Sequence, residues 1–234
     1  CARDHGKPLI AIPVFLMRQF HHGGIIYNTD LGIRTPKDLQ GQRIGVNRGF
    51  TVTAGLWSRS ILQHEHGVDL NSITWVLSGD EHVAEYQAPS NVVPIEEGKT
   101  LEAMLVSGEI AAAIGVQTEA PNVKPLIPNA LEVGLEAVRT RGLYPINHTL
   151  VVKQPLVSDN PGLASDIFET FAEAKRLYIE KLKLGVIETS SPADELNDRV
   201  MAITGDPLPY GLESNRLVLE SILGYCQEQG ILKD

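Results

Sequence analysis

Seven histidines are spread through the chain, and three of them stand in company that could do chemistry. His148 follows Arg139, Arg141 and the pair Tyr144-Pro145. It opens a run, Thr149-Leu150-Val151-Val152, with strand character. An imidazole titrates near neutral pH, so His148 beside two arginines is a candidate proton donor or anion ligand. A satisfied, partly buried side chain is the alternative. His21 and His22 lie in a His-His-Gly-Gly loop between two apolar runs, with Arg18 just ahead; this is either a pocket edge or an ordinary polar turn. Thr51 and Thr53 bracket the start of a helical pattern after Asn47-Arg48-Gly49-Phe50. A strand-loop-helix junction of this kind offers unpaired N–H groups to an anion, and either threonine would cap it. The loop has neither the Walker lysine pattern nor G-x-G-x-x-G, so nucleotide phosphates are not indicated. His64 and His66, two apart on the same helix, point to different sides and read as surface residues.

These residues need elements to hold them. Leu9 to Phe15 reads as a buried strand with prolines near both ends, and Ile25-Ile26-Tyr27 as a second. Arg43 to Val46 is a strand and Val52 to Glu65 a helix, with Ala54, Leu56, Trp57, Ser60 and Ile61 at helical spacing. Gly67 stops it. Ile73 to Val76 is a strand, Thr100 to Ser107 a helix and Ile110 to Ile114 an apolar strand. Ala130 to Val138 has helical character. The alternation predicts an α/β fold, a parallel sheet with helices on its faces. Beyond His148 the chain turns helical: Asn160-Pro161 reads as a helix start, followed by helices over 193–203 and 214–229.

Composition narrows the class. The chain has 234 residues, 43% hydrophobic and 21% charged, the balance of a globular protein of one large domain or two lobes. Its net charge of -9 gives no general attraction to nucleic acid or to an anionic membrane, so an anionic ligand would need a local basic pocket. Cys1 and Cys226 do not make a disulfide framework. No apolar run is long enough for a membrane span.

Six stretches carry a resemblance: AIPVFLMRQFHHGGI; DLQGQRIGV with TVTAGLWSRSIL; GKTLEAMLVSGEI; RGLYPINHTLVV; NPGLASDIFETFAEAKRL; and DPLPYGLESNRLVLESILGYCQEQGIL. Together they resemble the 4,5-dihydroxyphthalate decarboxylase family, within the type 2 periplasmic-binding-protein-like superfamily. The resemblance implies two lobes with a hinge and a central cleft. Residues 1–34 and 142–234 would form the first lobe and 35–141 an inserted second β/α lobe. It also implies a cytoplasmic enzyme, with a periplasmic location as the alternative if a signal peptide was removed. Asn47-Arg48-Gly49-Phe50 departs from the Pro-Glu-Tyr-Gln type of loop in the family, and His22-Gly23-Gly24 from a His-Ser-Ser pattern.

The implied reaction removes one carboxylate from a catechol-like phthalate, giving protocatechuate. Protonating the ring carbon that bears the carboxylate, assisted by the para hydroxyl, needs no cofactor. It needs a general acid, for which His148 or His22 is the candidate. Arg18, Arg141 and the Thr51/Thr53 helix start would clamp the remaining carboxylate. Asn215 and Arg216, in PYGLESNR, would form a third wall, unless Arg216 pairs with Glu213 or Glu220 on the surface. Arg18, His22, Thr51 and His148 are expected to converge on one pocket for a small anionic aromatic ligand. A metal would draw on His21, His22 and His148, but H-x-x-x-H and C-x-x-C signatures are absent. A binding protein or sensor for an aromatic or heterocyclic acid is the second reading. The resemblance also implies that a first β-α-β segment ahead of the Ala11 strand is missing. Ile10, Ile12, Val14 and Val151 would then be undercovered, unless a second copy in a homo-oligomer covers that face.

Overall fold

The computed structural model describes residues 1–232. In chain order the strands are β1 Leu9–Arg18, β2 Ile25–Asn28, β3 Arg43–Val46, β4 Thr74–Leu77, β5 Val92–Pro94, β6 Ala112–Ile114, β7 Val123–Pro125 and β8 Ile146–Lys153. The helices are α1 Thr53–His66, α2 Leu101–Ser107, α3 Ala130–Arg141, α4 Gln154–Asp159, α5 Leu163–Leu184, α6 Pro192–Thr204 and α7 Arg216–Glu228. The chain divides into two compact units. One holds Cys1–His5, Phe20–Gly134 and residues 222–232; the other holds Gly6–Gln19 and Leu135–Ser221. Residues 20–34, expected with the first lobe, are in the sheet unit because β2 lies between β6 and β7.

The sheet unit is α/β, as the alternation predicts. Its strand order is β5-β4-β3-β6-β2-β7, with β5, β4, β3 and β6 parallel and β2 antiparallel to both neighbours. Period-two alternation sorts the side chains between two helical layers. Ile44, Val46, Trp75, Leu77, Ala112 and Ile114 face the cluster that includes Leu56, Ile61 and Leu62 of α1. The intervening Val76 and Ala113 face Leu101, Met104 and Leu105 of α2. Gly45 gives these side chains room on that second face: a Cβ there would stand 2.8 Å from Leu101 Cδ2 and Ile110 Cδ1, and both side-chain ends would have to shift. Trp57 is covered by an edge-on contact with Tyr225, ring centres 5.7 Å apart.

The second unit is built on an antiparallel ribbon of β1 and β8. Leu9 pairs with Lys153 and Ile12 with Leu150; the register then slips, so that Met17 faces His148 and Arg18 faces Ile146. Pro13 sits at the slip, where a missing N–H is tolerated. Ile12 and Val14 are buried, Ile10 is intermediate and Val151 is 48% exposed, so the four residues expected to be undercovered split evenly. The Asn160-Pro161 helix start is corrected. Asn160 is instead the C-cap of the short α4, and α5 begins at Leu163 behind Gly162. α3 runs on through Arg139 to Arg141, so both arginines are helical rather than part of the irregular approach to His148. No helix among the described residues is long and apolar enough to cross a membrane.

Candidate functional site

In a mostly parallel sheet, ligands bind outside the carboxyl ends of the strands, where the strand order reverses. Here the chain steps from β3 to β4 and β5, then returns to place β6 on the other side of β3. The reversal therefore lies between the carboxyl ends of β3 and β6. Asn47, just past β3, bonds across it: its N–H donates to Ile114 O and its Nδ2 to Gly115 O, both at 3.0 Å. Ser78, just past β4, accepts from Arg48 N at 2.9 Å and donates to Asn47 Oδ1 at 3.2 Å. Arg48 holds a left-handed φ of 70°, which turns the loop over this edge. The edge opens into a cavity of about 400 Å³ lined by Asn47, Ser78, Lys99, Thr100, Gly115 and Gln117, among others. Lys99 is not a free cation there, since Glu96 and Glu109 hold it at 2.7 and 2.5 Å.

Thr51 and Thr53 stand on the same side of the sheet, but neither caps α1. The N-cap is Val52, without a side-chain hydrogen bond. Thr51 instead donates its hydroxyl to Glu81 Oε2 at 2.6 Å and its N–H to the same atom at 3.1 Å. Phe50 N donates to Glu81 Oε1. Arg59, fully buried in α1, reaches back to Phe50: Nη2 donates to its carbonyl at 2.7 Å and the guanidinium lies 3.7 Å from the ring centre. Arg59 Nε donates to Gln229 Oε1 at 2.8 Å. Burial pushes the guanidinium down to about 9, opposed by the charges of Tyr86 and Glu81, so it remains a cation at neutral pH.

His22 sits elsewhere. It is 2% exposed, and its Nε2 lies 3.0 Å from Glu65 Oε2 near the far end of α1. A carboxylate only accepts, so Nε2 carries the proton, and the buried Nδ1 has no hydrogen-bond partner. From Thr53 to Glu65 the helix rises about 18 Å. His22 and Thr51 are therefore held at opposite ends of α1, and the expected convergence of these two fails within this unit. His66 is no plain surface residue either: its Nε2 is buried without a hydrogen-bond partner.

In the second unit, Arg18 and Asn215 come together from opposite ends of the sequence. Arg18 is 7% exposed; Nη1 donates to Tyr144 O at 2.7 Å and Nη2 to Asn215 Oδ1. Asn215 Nδ2 donates to the carbonyls of Pro209 at 2.9 Å and Gly211 at 2.7 Å. Desolvation pushes Arg18 down to about 10, still charged at neutral pH. His148 lies within β8 rather than at its mouth, and it is exposed. Arg141 is exposed in the last turn of α3. Arg216 does not join Asn215. Its side chain is 61% exposed and pairs with Glu213 at 2.5 Å and Glu220 at 3.7 Å, the surface alternative.

A family model described as NMT1/THI5 like matches residues 1–120. The chain is 30% identical over 241 residues to 4,5-dihydroxyphthalate decarboxylase of Comamonas testosteroni, covering 96% of this chain and 73% of that protein. The chain belongs to the 4,5-dihydroxyphthalate decarboxylase family. A second member, from Pseudomonas putida, is 39% identical over 116 residues, 47% of this chain and 45% of that one. Among solved structures, the periplasmic aliphatic sulphonate binding protein SsuA from Escherichia coli aligns with a TM-score of 0.49 at 12% identity. That alignment covers 99% of this chain and 72% of SsuA. The desulfurization enzyme DSZB aligns with a TM-score of 0.48 at 16% identity, over 97% of this chain and 74% of DSZB.

In this member of the decarboxylase family, no group of three or more His, Cys, Asp or Glu among the described residues could hold a metal ion. The residues that sequence reasoning missed are Glu81, Arg59 and the Asn47–Ser78–Gly115 bridge. Gly49 was the available signal for the first. Its missing Cβ leaves room for the Asp80 carbonyl, which would otherwise stand 2.8 Å away.

Proposed function

We propose that the protein removes one carboxylate from 4,5-dihydroxyphthalate or a related aromatic acid, without a cofactor, releasing CO2. A proton adds to the ring carbon that bears the carboxylate, and the hydroxyl para to it loses its proton and feeds electrons into the ring. The C–C bond then breaks, CO2 leaves, the electron pair restores the aromatic ring as a phenolate, and the phenolate takes back a proton. From 4,5-dihydroxyphthalate the product is protocatechuate. The net reaction consumes one proton, so the acid is recharged from solvent.

His148 is the acid in this reading, because its imidazole is exposed while His22 is committed to Glu65 through Nε2. Arg141, in the same unit as His148, is the cation for the carboxylate that stays. Arg18 and Asn215 act as support, since Arg18 Nη1 is committed to Tyr144, Arg18 Nη2 to Asn215, and the Asn215 amide nitrogen to Pro209 and Gly211. The observation that carries the proposal is the kinship with a protein named for this reaction over 96% of the chain. The test is incubation with 4,5-dihydroxyphthalate, following CO2 and protocatechuate. Saturable binding with no CO2 would replace the enzyme reading with that of a solute-binding protein.

A further inference from the structure

The Asn47–Thr51 loop offers donors to an anion, and an anion is seated on them. Both oxygens of the Glu81 carboxylate are engaged: Oε1 by Phe50 N, and Oε2 by Thr51 N and Thr51 Oγ1. These donors precede the N-cap Val52, so they belong to the loop and not to the first turn of α1. Independently of these bonds, a cation lies behind them. Arg59 is fully buried, bonds the carbonyl of the same Phe50, and keeps Nη1 without a hydrogen-bond partner. Three converging donors backed by an incompletely paired buried cation make a seat for a carboxylate.

We propose that this seat takes a carboxylate of the bound aromatic acid, and that Glu81 is an internal stand-in which the ligand displaces. The inference rests on the reading of the substrate as an aromatic carboxylate. Exchanging one carboxylate for another on the same donors leaves the number of charge-assisted hydrogen bonds unchanged. The released Glu81 has water close by, because it is only partly buried and its neighbours Asp80 and His82 are exposed. Glu81 thereby sets specificity. A ligand without a carboxylate has nothing to offer the seat in return. While Glu81 is seated, the apparent affinity is lowered by the fraction of molecules with the seat vacant; at about one-tenth vacant, the loss is about tenfold.

The test uses phthalate, which carries both carboxylates but lacks the ring hydroxyls that the chemistry needs, so binding is read without turnover. In a titration of the isotope-labelled chain by NMR, the Phe50 and Thr51 amide signals are expected to shift along the phthalate saturation curve. The Glu81 side-chain carboxyl carbon should move to the position of a solvated carboxylate. Glu81→Gln is expected to bind phthalate about tenfold more tightly. Absence of binding, binding that leaves these three signals in place, or a Glu81→Gln variant that binds no tighter would each overturn the proposal. If that variant does not fold, the titration of the unaltered chain decides alone. Turnover of 4,5-dihydroxyphthalate is scored separately. Displacement of Glu81 without CO2 release removes the decarboxylase reading and leaves the seat; CO2 release with Glu81 in place under saturating phthalate does the reverse.

Discussion

Asn215 accepts a hydrogen bond from Arg18 across a separation of 197 residues. The same amide donates to Pro209 and Gly211, which ties the 209–215 turn to the end of β1. Asn215→Ala would leave Arg18 Nη2 with the Pro209 carbonyl at 3.5 Å as its remaining partner. Loss of a buried hydrogen bond to a charged group costs roughly 1.5–3 kcal/mol. A lower urea midpoint with an unchanged slope is the expected result. Asn215→Asp should not rescue it, because a carboxylate would then face the two carbonyls that the amide now satisfies.

Gly134 decides a contest between propensity and packing. It lies inside α3, where alanine would ordinarily gain about 0.8–1 kcal/mol. A Cβ there, however, would stand 2.3 Å from Cγ of the Phe20 ring. Overpacking typically costs about 1–3 kcal/mol, and a rigid ring has little room to yield. Gly134→Ala is therefore expected to lower the melting temperature, whereas an exposed helical glycine would raise it.

How much of this was legible in the sequence follows the range of the interactions. Arg43 to Ile114 could be read because strand and helix periods are local, and Gly41, Gly67 and Gly108 punctuate them. β5 and β7 could not. Each has three residues and ends on a proline, too short for alternation to register. The side-chain partners were out of reach for a different reason. Glu65 is 43 residues from His22, and Glu81 is 30 from Thr51, in a segment without periodicity. His22 was a reasonable acid by type, and only Glu65 shows where it is tied.

His66 supplies a pH dependence. Burial pushes its pKa down; nearby Glu65 opposes the shift and His22 adds to it. A depressed histidine binds its proton more weakly in the folded chain than in the unfolded one, so acid favours unfolding. Stability should fall as pH drops below about 6.5, the ordinary histidine value, and the loss should level off below the folded value. His66→Gln should flatten that part of the curve. Thermal melts between pH 7.5 and 5 would show it, and identical slopes in both proteins would exclude His66 as the source.

His22→Asn separates structure from chemistry. It removes the contact with Glu65 at 3.0 Å, and a lost buried hydrogen bond to a charged group costs roughly 1.5–3 kcal/mol. If His148 is the acid, the folded His22→Asn variant should keep its turnover within about threefold, less than one pKa unit's worth of free energy. A collapse of turnover in a folded His22→Asn protein would return the acid's role to His22.

The most direct measurement is turnover of 4,5-dihydroxyphthalate by the unaltered chain and by His148→Gln. The account predicts CO2 and protocatechuate in equal amounts from the first. From the second it predicts turnover lower by about 10²–10⁴-fold, the usual contribution of a positioned general acid, with binding little changed. Saturable binding of the substrate without any CO2 from the unaltered chain would contradict the decarboxylase, and full turnover by His148→Gln would contradict its acid.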